Sequence, residues 1–214
     1  MDALFTLAPV VWPVEGRAQG FPVRRVFCVG RNYADHVAEM GGNAARSTPV
    51  IFTKDAACLV RPGEPARYPA DTSDLHHEVE LVVAVGPGGG VWGHAVGIDL
   101  TRRDLQAAAK AKGGPWDRAK SFPDSAPMGV LREGPVEPGA KVSLHVDGEL
   151  RQSSPLDRMI WSVEEVLDHL RADMGLAAGD LVFTGTPAGV GPVAAGETMR
   201  AEVTGLPVLE VRVV

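Results

Sequence analysis

The sequence predicts an α+β fold that is mainly β, with a few short helices, and two observations carry this prediction. The 214 residues include 25 glycines and 17 prolines, a composition typical of many turns that join short strands. Residues 141–149 and 180–214 alternate apolar and polar side chains between glycine-rich turns. That period of two is typical of strands that bury one face, so we expect antiparallel strands and hairpins there.

The length of the chain fits one principal domain with a large core. Residues 1–21 have a short apolar start followed by Gly16 and Gly20, and Pro22 comes directly after them. Such punctuation is typical of a separate segment. We therefore predict an N-terminal leader over 1–21 that packs on a main domain over 22–214.

Apolar runs bounded by turn residues predict the strands of the first half of the chain. They cover residues 25–29, 49–54, 78–85 and 91–99. A helical spacing follows Gly30 and predicts a helix from Asn32 to Met40, which Gly41 ends. Residues 86–90 are predicted to form a flexible connector.

Capping signals predict two longer helices. Thr101 and Asp104 resemble an N-terminal cap for a helix that runs to about Lys112 and stops at Gly113. Ser162 and Glu165 have the spacing of a capping box, which predicts a helix from Val163 to about Met174.

Charge and composition restrict the kind of partner. The net charge is −6 and no basic run is present, which argues against nucleic acid and anionic membranes and favours a small molecule. No apolar run approaches the roughly 18 residues of a membrane span, and the first residues lack the pattern of a signal peptide. Cys28 and Cys58 are expected to be reduced thiols. We expect a cytoplasmic protein.

Two glutamates one residue apart are the first chemical signal. On a strand, Glu78 and Glu80 would share one face with His76, and like charges held close favour a bound cation. Taken alone, a Glu-x-Glu pair is also typical of a solvated strand edge. Asp99, at a strand-to-helix junction, would add a third carboxylate. Three oxygen ligands favour Mg²⁺ or Mn²⁺, whereas His76 as a ligand would favour a softer metal.

Three further groups of polar residues point to chemistry. His36 and Glu39, three apart on a helix, would form a water-activating dyad or an ordinary surface pair. Lys120 and an amide at Gln106 would hold a carboxylate and stabilise an enolate, although lone lysines are usually solvated. The loop at 184–191 lacks the ending of a phosphate-binding loop, so it is either a plain hairpin turn or a glycine-rich wall with a threonine hydroxyl facing a ligand.

Five motifs in this order resemble the fumarylacetoacetate hydrolase family, in particular its short acylpyruvate and fumarylpyruvate hydrolase-like members. The motifs are GRNYADHVAEM, DLHHEVELVVAVG, GIDLTRRDLQ, WDRAKSF and GDLVFTGTPAGVG. The resemblance runs from about residue 22 to the end. It implies a mixed β-sandwich roll with peripheral short helices, and a homodimer. One departure is that relatives carry a longer insertion where this chain has only residues 86–90.

The resemblance also implies roles for single residues. Glu78, Glu80 and Asp99 would be ligands of Mg²⁺ or Mn²⁺, and the catalytic residues would be His36, Glu39 and Lys120. The residues implied to contact a small keto acid are Arg31, Arg103, Gln106 and Thr186.

The implied reaction is hydrolysis of a carbon–carbon bond in a 2,4-diketo acid, with fumarylpyruvate or another acylpyruvate as substrate, in aromatic catabolism. The products would be pyruvate and a carboxylic acid. Alternatives are an oxaloacetate decarboxylase, a keto-enol or double-bond isomerase, and a metal-dependent binding protein without catalysis. The sequence does not distinguish between the acyl groups.

Overall fold

A computed structural model of the protein describes residues 4–39, 41 and 48–214. Short strands make up most of its regular structure. They are β1 Val10–Trp12, β2 Phe21–Val23, β3 Val26–Gly30, β4 Val50–Lys54, β5 Leu59–Val60, β6 Leu75–His77, β7 Val79–Val85, β8 Val91–Ile98, β9 Thr101–Arg102, β10 Ala126–Pro127, β11 Arg132–Glu133, β12 Lys141–Val146, β13 Glu149–Pro155, β14 Leu181–Phe183, β15 Gly191–Pro192, β16 Thr198–Val203 and β17 Leu209–Arg212.

Short helices connect these strands. They are α1 Ala34–Glu39, α2 Arg103–Lys112, α3 Asp117–Lys120 and α4 Val163–Met174, with single 3₁₀ turns at Ala56–Cys58, Pro87–Gly89 and Leu156–Arg158. The predicted end of α1 at Met40 lies outside the described residues. The predicted connector at 86–90 contains one of the 3₁₀ turns and joins β7 to β8 as an antiparallel hairpin.

The main sheet has six strands in the order β11-β8-β7-β14-β3-β4. Strand β14 pairs in parallel with β3 and antiparallel with β7, so the sheet is mixed. The expectation of purely antiparallel strands after residue 180 is therefore wrong for β14. That pairing joins segments about 150 residues apart, and the local pattern of β14 contains no information about it.

A second sheet, in the order β13-β12-β16-β17, packs on the first. The larger hydrophobic core lies between them, with Leu81 and Val83 from β7 and with Val142 and Leu144 from β12 fully or almost fully buried. Alternating burial along β12 and β16 follows the predicted period of two. The predicted mainly β class of fold is confirmed.

The predicted leader contributes a hairpin of β1 and β2 to the core. Trp12 is buried, and its indole Nε1 donates a hydrogen bond to the carbonyl oxygen of Gly129 over 2.8 Å. The hairpin extends across the predicted boundary between residues 21 and 22, since β2 begins at Phe21. The division into leader and main domain stays a prediction.

The two capping predictions have different outcomes. The Ser162–Glu165 capping box is present, and α4 runs from Val163 to Met174 as expected. For α2 the predicted cap is wrong, because Arg102 occupies the N-cap position without a side-chain hydrogen bond. Thr101 instead accepts a hydrogen bond from Lys120 Nζ over 2.6 Å, and this long-range partner removes it from capping.

Two further expectations about the chain can be compared with the structure. Cys28 and Cys58 are both buried and free, as predicted. Among the residues described, no helix is long and apolar enough to cross a membrane.

Candidate active site

Three buried carboxylates converge at the start of β7 and the end of β8. Backbone pairing of Val79 with Ile98 places Glu78 beside Asp99, and the Asp99 N–H donates to the Glu78 carbonyl over 2.8 Å. Glu78 lies between the end of β6 at His77 and the start of β7 at Val79. The prediction that Glu78 and Glu80 share one continuous strand is therefore wrong. Their carboxylates still meet, because ligand oxygens of Glu78, Glu80 and Asp99 all lie within 4.8 Å of one another.

Two cations hold the Glu78 carboxylate. Arg103 Nη2 donates to Oε1 over 2.5 Å, and Lys120 Nζ donates to Oε2 over 2.9 Å. Burial opposes ionisation of Glu78, but Lys120 and Arg103 outweigh that effect and hold the pKa of Glu78 well below its ordinary value. Glu78 is therefore a carboxylate at any physiological pH.

Glu80 lies in the opposite electrostatic situation. Burial, followed by the charges of Asp99 and Glu78, raises the pKa of Glu80 well above its ordinary value. Its Oε2 accepts a hydrogen bond from the Gly185 N–H over 2.7 Å, and within the described ranges no ion pair of Glu80 is found. A divalent cation would supply the missing neutralisation.

The donor set tests which ion would fit. The three ligands are carboxylate oxygens, and His76 is not part of the group. His76 instead accepts from Arg103 Nε over 3.4 Å and contacts Asp74 over 2.8 Å, so it supports Arg103 rather than the metal ligands. Oxygen ligands suit Mg²⁺ or Mn²⁺ better than Zn²⁺, and the alternative of a softer metal has no support from His76.

Lys120 is the centre of the positive charge beneath the three carboxylates. Its side chain is buried, and Nζ donates to Asp99 Oδ2 over 2.7 Å in addition to Glu78. Burial opposes its charge, but Asp99 and Glu78 outweigh burial and raise the pKa of Lys120 above its ordinary value. The ammonium group is thus permanent at this position.

Lys54 is a residue of this site that the sequence did not reveal. It is the last residue of β4, its side chain is 0% exposed, and Nζ lies 2.9 Å from Asp99 Oδ1. It also donates to the carbonyl oxygens of Leu100 and Lys120. A lysine that ends a strand is usually solvated, so only the long-range pairing of β4 with β3 gives it this place.

The predicted dyad forms on α1. His36 Nδ1 lies 3.3 Å from Glu39 Oε2, and Glu39 Oε1 accepts a hydrogen bond from the Gly189 N–H over 3.1 Å. Since a carboxylate only accepts, it favours a proton on Nδ1 and leaves Nε2 as the basic nitrogen. His36 is buried and faces the same pocket as the carboxylates.

The other predicted contacts also line this pocket. Every predicted site residue except Glu39 belongs to its wall, and Glu39 reaches it through His36. Arg103 Nη1 donates to Gln106 Oε1 over 2.7 Å, which orients the amide. Arg31 has a left-handed backbone with φ of 60°.

Similar proteins of known family identify the family of this chain. The sequence profile described as "Fumarylacetoacetate (FAA) hydrolase C-terminal" matches residues 25–214. The chain belongs to the fumarylacetoacetate hydrolase family. The mainly β fold is therefore that of a family member, and its three buried carboxylates could hold a divalent ion.

One solved structure in the family is similar over its full length. It is a fumarylpyruvate hydrolase from Pseudomonas aeruginosa in complex with Mn²⁺ and pyruvate, 46% identical, with a TM-score of 0.94 over 100% of this chain and 99% of that one.

Two curated relatives carry a different activity in their names. A mitochondrial oxaloacetate tautomerase from Bos taurus is 41% identical over 86% of this chain and 88% of its own length. An oxaloacetate tautomerase from Escherichia coli (strain K12) is 36% identical over 89% of this chain and 93% of its own. Family membership therefore leaves two reactions to be weighed.

Residues at the mouth of the pocket were also missed by the sequence interpretation. Phe52 and Trp116 face each other with ring centroids 5.9 Å apart, and Lys110 Nζ lies 5.1 Å from the Trp116 ring centroid. All three line the pocket. The amphipathic pattern of α2 predicts that Lys110 is solvated, like the other polar residues of that helix. The sequence therefore did not indicate that Lys110 lines the pocket.

Proposed function

We propose that this protein is a divalent-metal-dependent hydrolase that cleaves the C3–C4 bond of 2,4-diketo acids, with fumarylpyruvate or another acylpyruvate as substrate. The observation that supports it most directly is a His–Glu dyad in the same pocket as three buried carboxylates. A metal site alone suits many reactions of keto acids. A base placed to activate water is what hydrolysis adds.

Glu78, Glu80 and Asp99 would hold the metal ion, which is Mg²⁺ or Mn²⁺. The Pseudomonas aeruginosa structure contains Mn²⁺ and pyruvate, one of the products of the proposed reaction. When bound, the ion would supply Lewis-acid polarisation of the keto acid.

The dyad generates the nucleophile. His36 Nε2 accepts a proton from a water molecule while its Nδ1–H is held by Glu39, whose negative charge stabilises the protonated ring. The water oxygen attacks the C4 carbonyl, and the C3–C4 bond breaks with its electron pair going to C3. The proton then returns from His36 to C3, which gives pyruvate and a carboxylic acid.

The remaining polar residues of the pocket orient the substrate and stabilise charge. Lys120 keeps a permanent positive charge beside the position where the enolate of pyruvate forms. Arg103 and Gln106 are linked by a hydrogen bond and contact the carboxylate of the keto acid, with Arg31 and Thr186 on the surrounding wall. A preformed set of donors costs little reorganisation during the reaction.

The second candidate is keto–enol tautomerisation of oxaloacetate, which the names of the two curated relatives favour. Tautomerisation passes through an enol or enolate at the same place but needs no attacking water. Decarboxylation of oxaloacetate would share that intermediate. Decarboxylation needs no base, so the dyad separates hydrolysis from decarboxylation, whereas a tautomerase could use His36 to move the C3 proton; the products formed from an acylpyruvate separate hydrolysis from tautomerisation.

Turnover of fumarylpyruvate, acetylpyruvate and oxaloacetate with Mg²⁺ and with Mn²⁺ tests the proposal. We expect wild-type hydrolysis of an acylpyruvate, with a loss of about 10²–10⁴-fold in kcat for His36→Ala, the range of general-base catalysis. Glu39→Gln should impair hydrolysis and spare decarboxylation of oxaloacetate. Asp35→Asn, an exposed carboxylate on the same helix, is the matched control.

Two results would contradict this assignment. Unchanged acylpyruvate turnover in His36→Ala would exclude the dyad as the source of the nucleophile. Rapid tautomerisation of oxaloacetate together with no hydrolysis of any acylpyruvate would establish the second candidate instead.

A further inference from the structure

Gln152 connects the wall of the pocket to the strand that precedes the metal-ligand cluster. It lies on β13 and is 1% exposed. Its Oε1 is 3.0 Å from both the Val79 backbone N and His77 Nδ1. Its Nε2 is 2.8 Å from Thr186 Oγ1 and 3.0 Å from the Pro187 carbonyl oxygen. All four hydrogen-bonding positions of this buried amide are used.

Backbone groups determine which way this amide is turned. The Val79 N–H can only donate and the Pro187 carbonyl can only accept, so the oxygen must face Val79 and the nitrogen must face Pro187. It follows that His77 donates its Nδ1–H to the amide oxygen. The usual ambiguity between the oxygen and the nitrogen of a glutamine is removed here.

The orientation of Gln152 sets the direction of the Thr186 hydroxyl. Because Nε2 is a donor, Thr186 Oγ1 is the acceptor in that contact, and the hydroxyl hydrogen points elsewhere. Thr186 is buried and lines the pocket with Glu78, Glu80 and Asp99. The hydrogen is therefore available to an acceptor inside the pocket.

We propose that Gln152 is a positioning residue that makes Thr186 a hydrogen-bond donor to an oxygen of the bound keto acid. The inference rests on the proposed function, because the acceptor is an oxygen of the pyruvyl part of the substrate. His77 contributes to the same arrangement, because the His77 Nδ1–H donates to the amide oxygen of Gln152 and holds it in place. Gln152 itself does not touch the substrate.

A double-mutant cycle tests the coupling between the two residues. The affinity for pyruvate is measured by calorimetry at saturating Mn²⁺ for wild type, Thr186→Val, Gln152→Met and the double variant. A hydrogen bond to a charged group corresponds to a factor of about ten or more in affinity, so each single variant should bind pyruvate about tenfold more weakly or worse. The double variant should bind no more weakly than Thr186→Val.

Further variants separate positioning from a purely structural effect. Thr186→Ser keeps the hydroxyl and should bind pyruvate nearly as wild type does. If Gln152→Met does not fold, Gln152→Glu replaces it in the cycle. A carboxylate at this position would accept the hydroxyl hydrogen of Thr186 and would therefore also weaken the binding of pyruvate. In the Thr186→Val background, Gln152→Glu should have no additional effect on pyruvate affinity.

Independent, multiplicative losses in the double variant would overturn the proposal, because Gln152 would then act without Thr186. Wild-type affinity in Thr186→Val would overturn it as well. In both cases the proposed hydrolysis stands if acylpyruvate turnover is observed. A wild-type protein that neither binds pyruvate nor turns over an acylpyruvate contradicts both proposals.

Discussion

Lys54 shows how one buried charge depends on its partners. Its ammonium group lies 2.9 Å from a carboxylate oxygen of Asp99, and neither side chain is more than 1% exposed. Removal of one partner from a buried ion pair costs about 3–5 kcal/mol, because the other charge loses its compensation, and the lower end applies here because Asp99 keeps its contact with Lys120. A bound divalent ion would compensate Asp99 in another way.

We predict that Lys54→Met lowers the free energy of unfolding by about 3 kcal/mol without metal, and by less at saturating Mg²⁺. Urea unfolding of wild type and variant under both conditions measures the difference, with Lys141→Met at an exposed position as control. An equal loss with and without Mg²⁺ would show that Lys54 does not share Asp99 with a metal ion.

His94 is a buried histidine away from the pocket, and it makes stability depend on pH. Burial is the main cause that lowers its pKa below 6.5, and the hydrogen bond to the Gly134 carbonyl opposes this shift. The unfolded chain therefore binds more protons than the folded one below pH 6.5. The contribution of neutral, buried His94 to the free energy of unfolding is fully present above pH 6.5. It is lost as the pH falls toward the lower pKa that His94 has in the folded protein.

We predict that the free energy of unfolding decreases between pH 7.5 and pH 5.5, and that His94→Gln makes this decrease smaller. Burial lowers the pKa of His76 and His77 too, so part of the slope should persist in the variant. Urea unfolding at both pH values measures it. An identical slope in His94→Gln would exclude the histidine as a contributor.

At the scale of elements, the loop after β14 joins the fold to the site. Gly185 has φ of 102°, and a Cβ there would lie 2.7 Å from Asn32 Cβ. Its N–H donates to Glu80, and Asn32 Nδ2 donates to the Thr184 carbonyl over 2.8 Å. A side chain at Gly185 would therefore displace the loop from Glu80, a proposed metal ligand.

We predict that Gly185→Ala weakens Mn²⁺ binding and lowers kcat/KM, because the Glu80 hydrogen bond is lost. Gly196→Ala is the matched control, since its φ of 97° gives similar backbone strain but its Cβ would meet nothing within 4 Å. Calorimetry with Mn²⁺ compares the two variants. Equal Mn²⁺ affinities would mean that only backbone strain is involved.

Local signals determined which elements could be predicted. The capping box of α4 was predicted correctly because both of its hydrogen bonds lie within four residues. The cap of α2 was predicted wrongly because Thr101 has a partner at Lys120, 19 residues away. Motif resemblance indicated residues that line the pocket, whereas Lys54 and Gln152 enter the site only through long-range pairing.

At the scale of the whole molecule, binding of the proposed metal ion would be linked to the stability of the fold. An ion that binds only the folded protein stabilises it by about 2.7 kcal/mol at a hundred times its Kd. Of the three proposed ligands, Glu80 has the charge that is least favourable without an ion, as its raised pKa indicates.

We predict that EDTA lowers the Tm of wild type relative to saturating Mg²⁺, and that Glu80→Gln removes this difference. Without metal the variant should be at least as stable as wild type, because a neutral amide relieves repulsion from Asp99 and Glu78. Differential scanning calorimetry with EDTA and with Mg²⁺ gives all four values. A full Mg²⁺ response in Glu80→Gln would exclude Glu80 as a ligand.

The assembly and the cellular location stay predictions. The resemblance predicts a homodimer and the sequence predicts a cytoplasmic protein, and the structure of a single chain tests neither. Sedimentation of the purified protein across a range of concentrations would measure its oligomeric state.

The position of β14 in the main sheet also affects how a ribosome delivers this fold. β14 lies between β3 and β7, yet it is synthesised about 100 residues after β7. Until it emerges, the nascent chain carries two apolar strands whose inner edges lack a partner, and such edges favour aggregation. The same late segment supplies the contacts of Thr184 with Asn32 and of Gly185 with Glu80. Translation therefore completes the sheet and the pocket together, and a chain that stops before residue 181 would have neither.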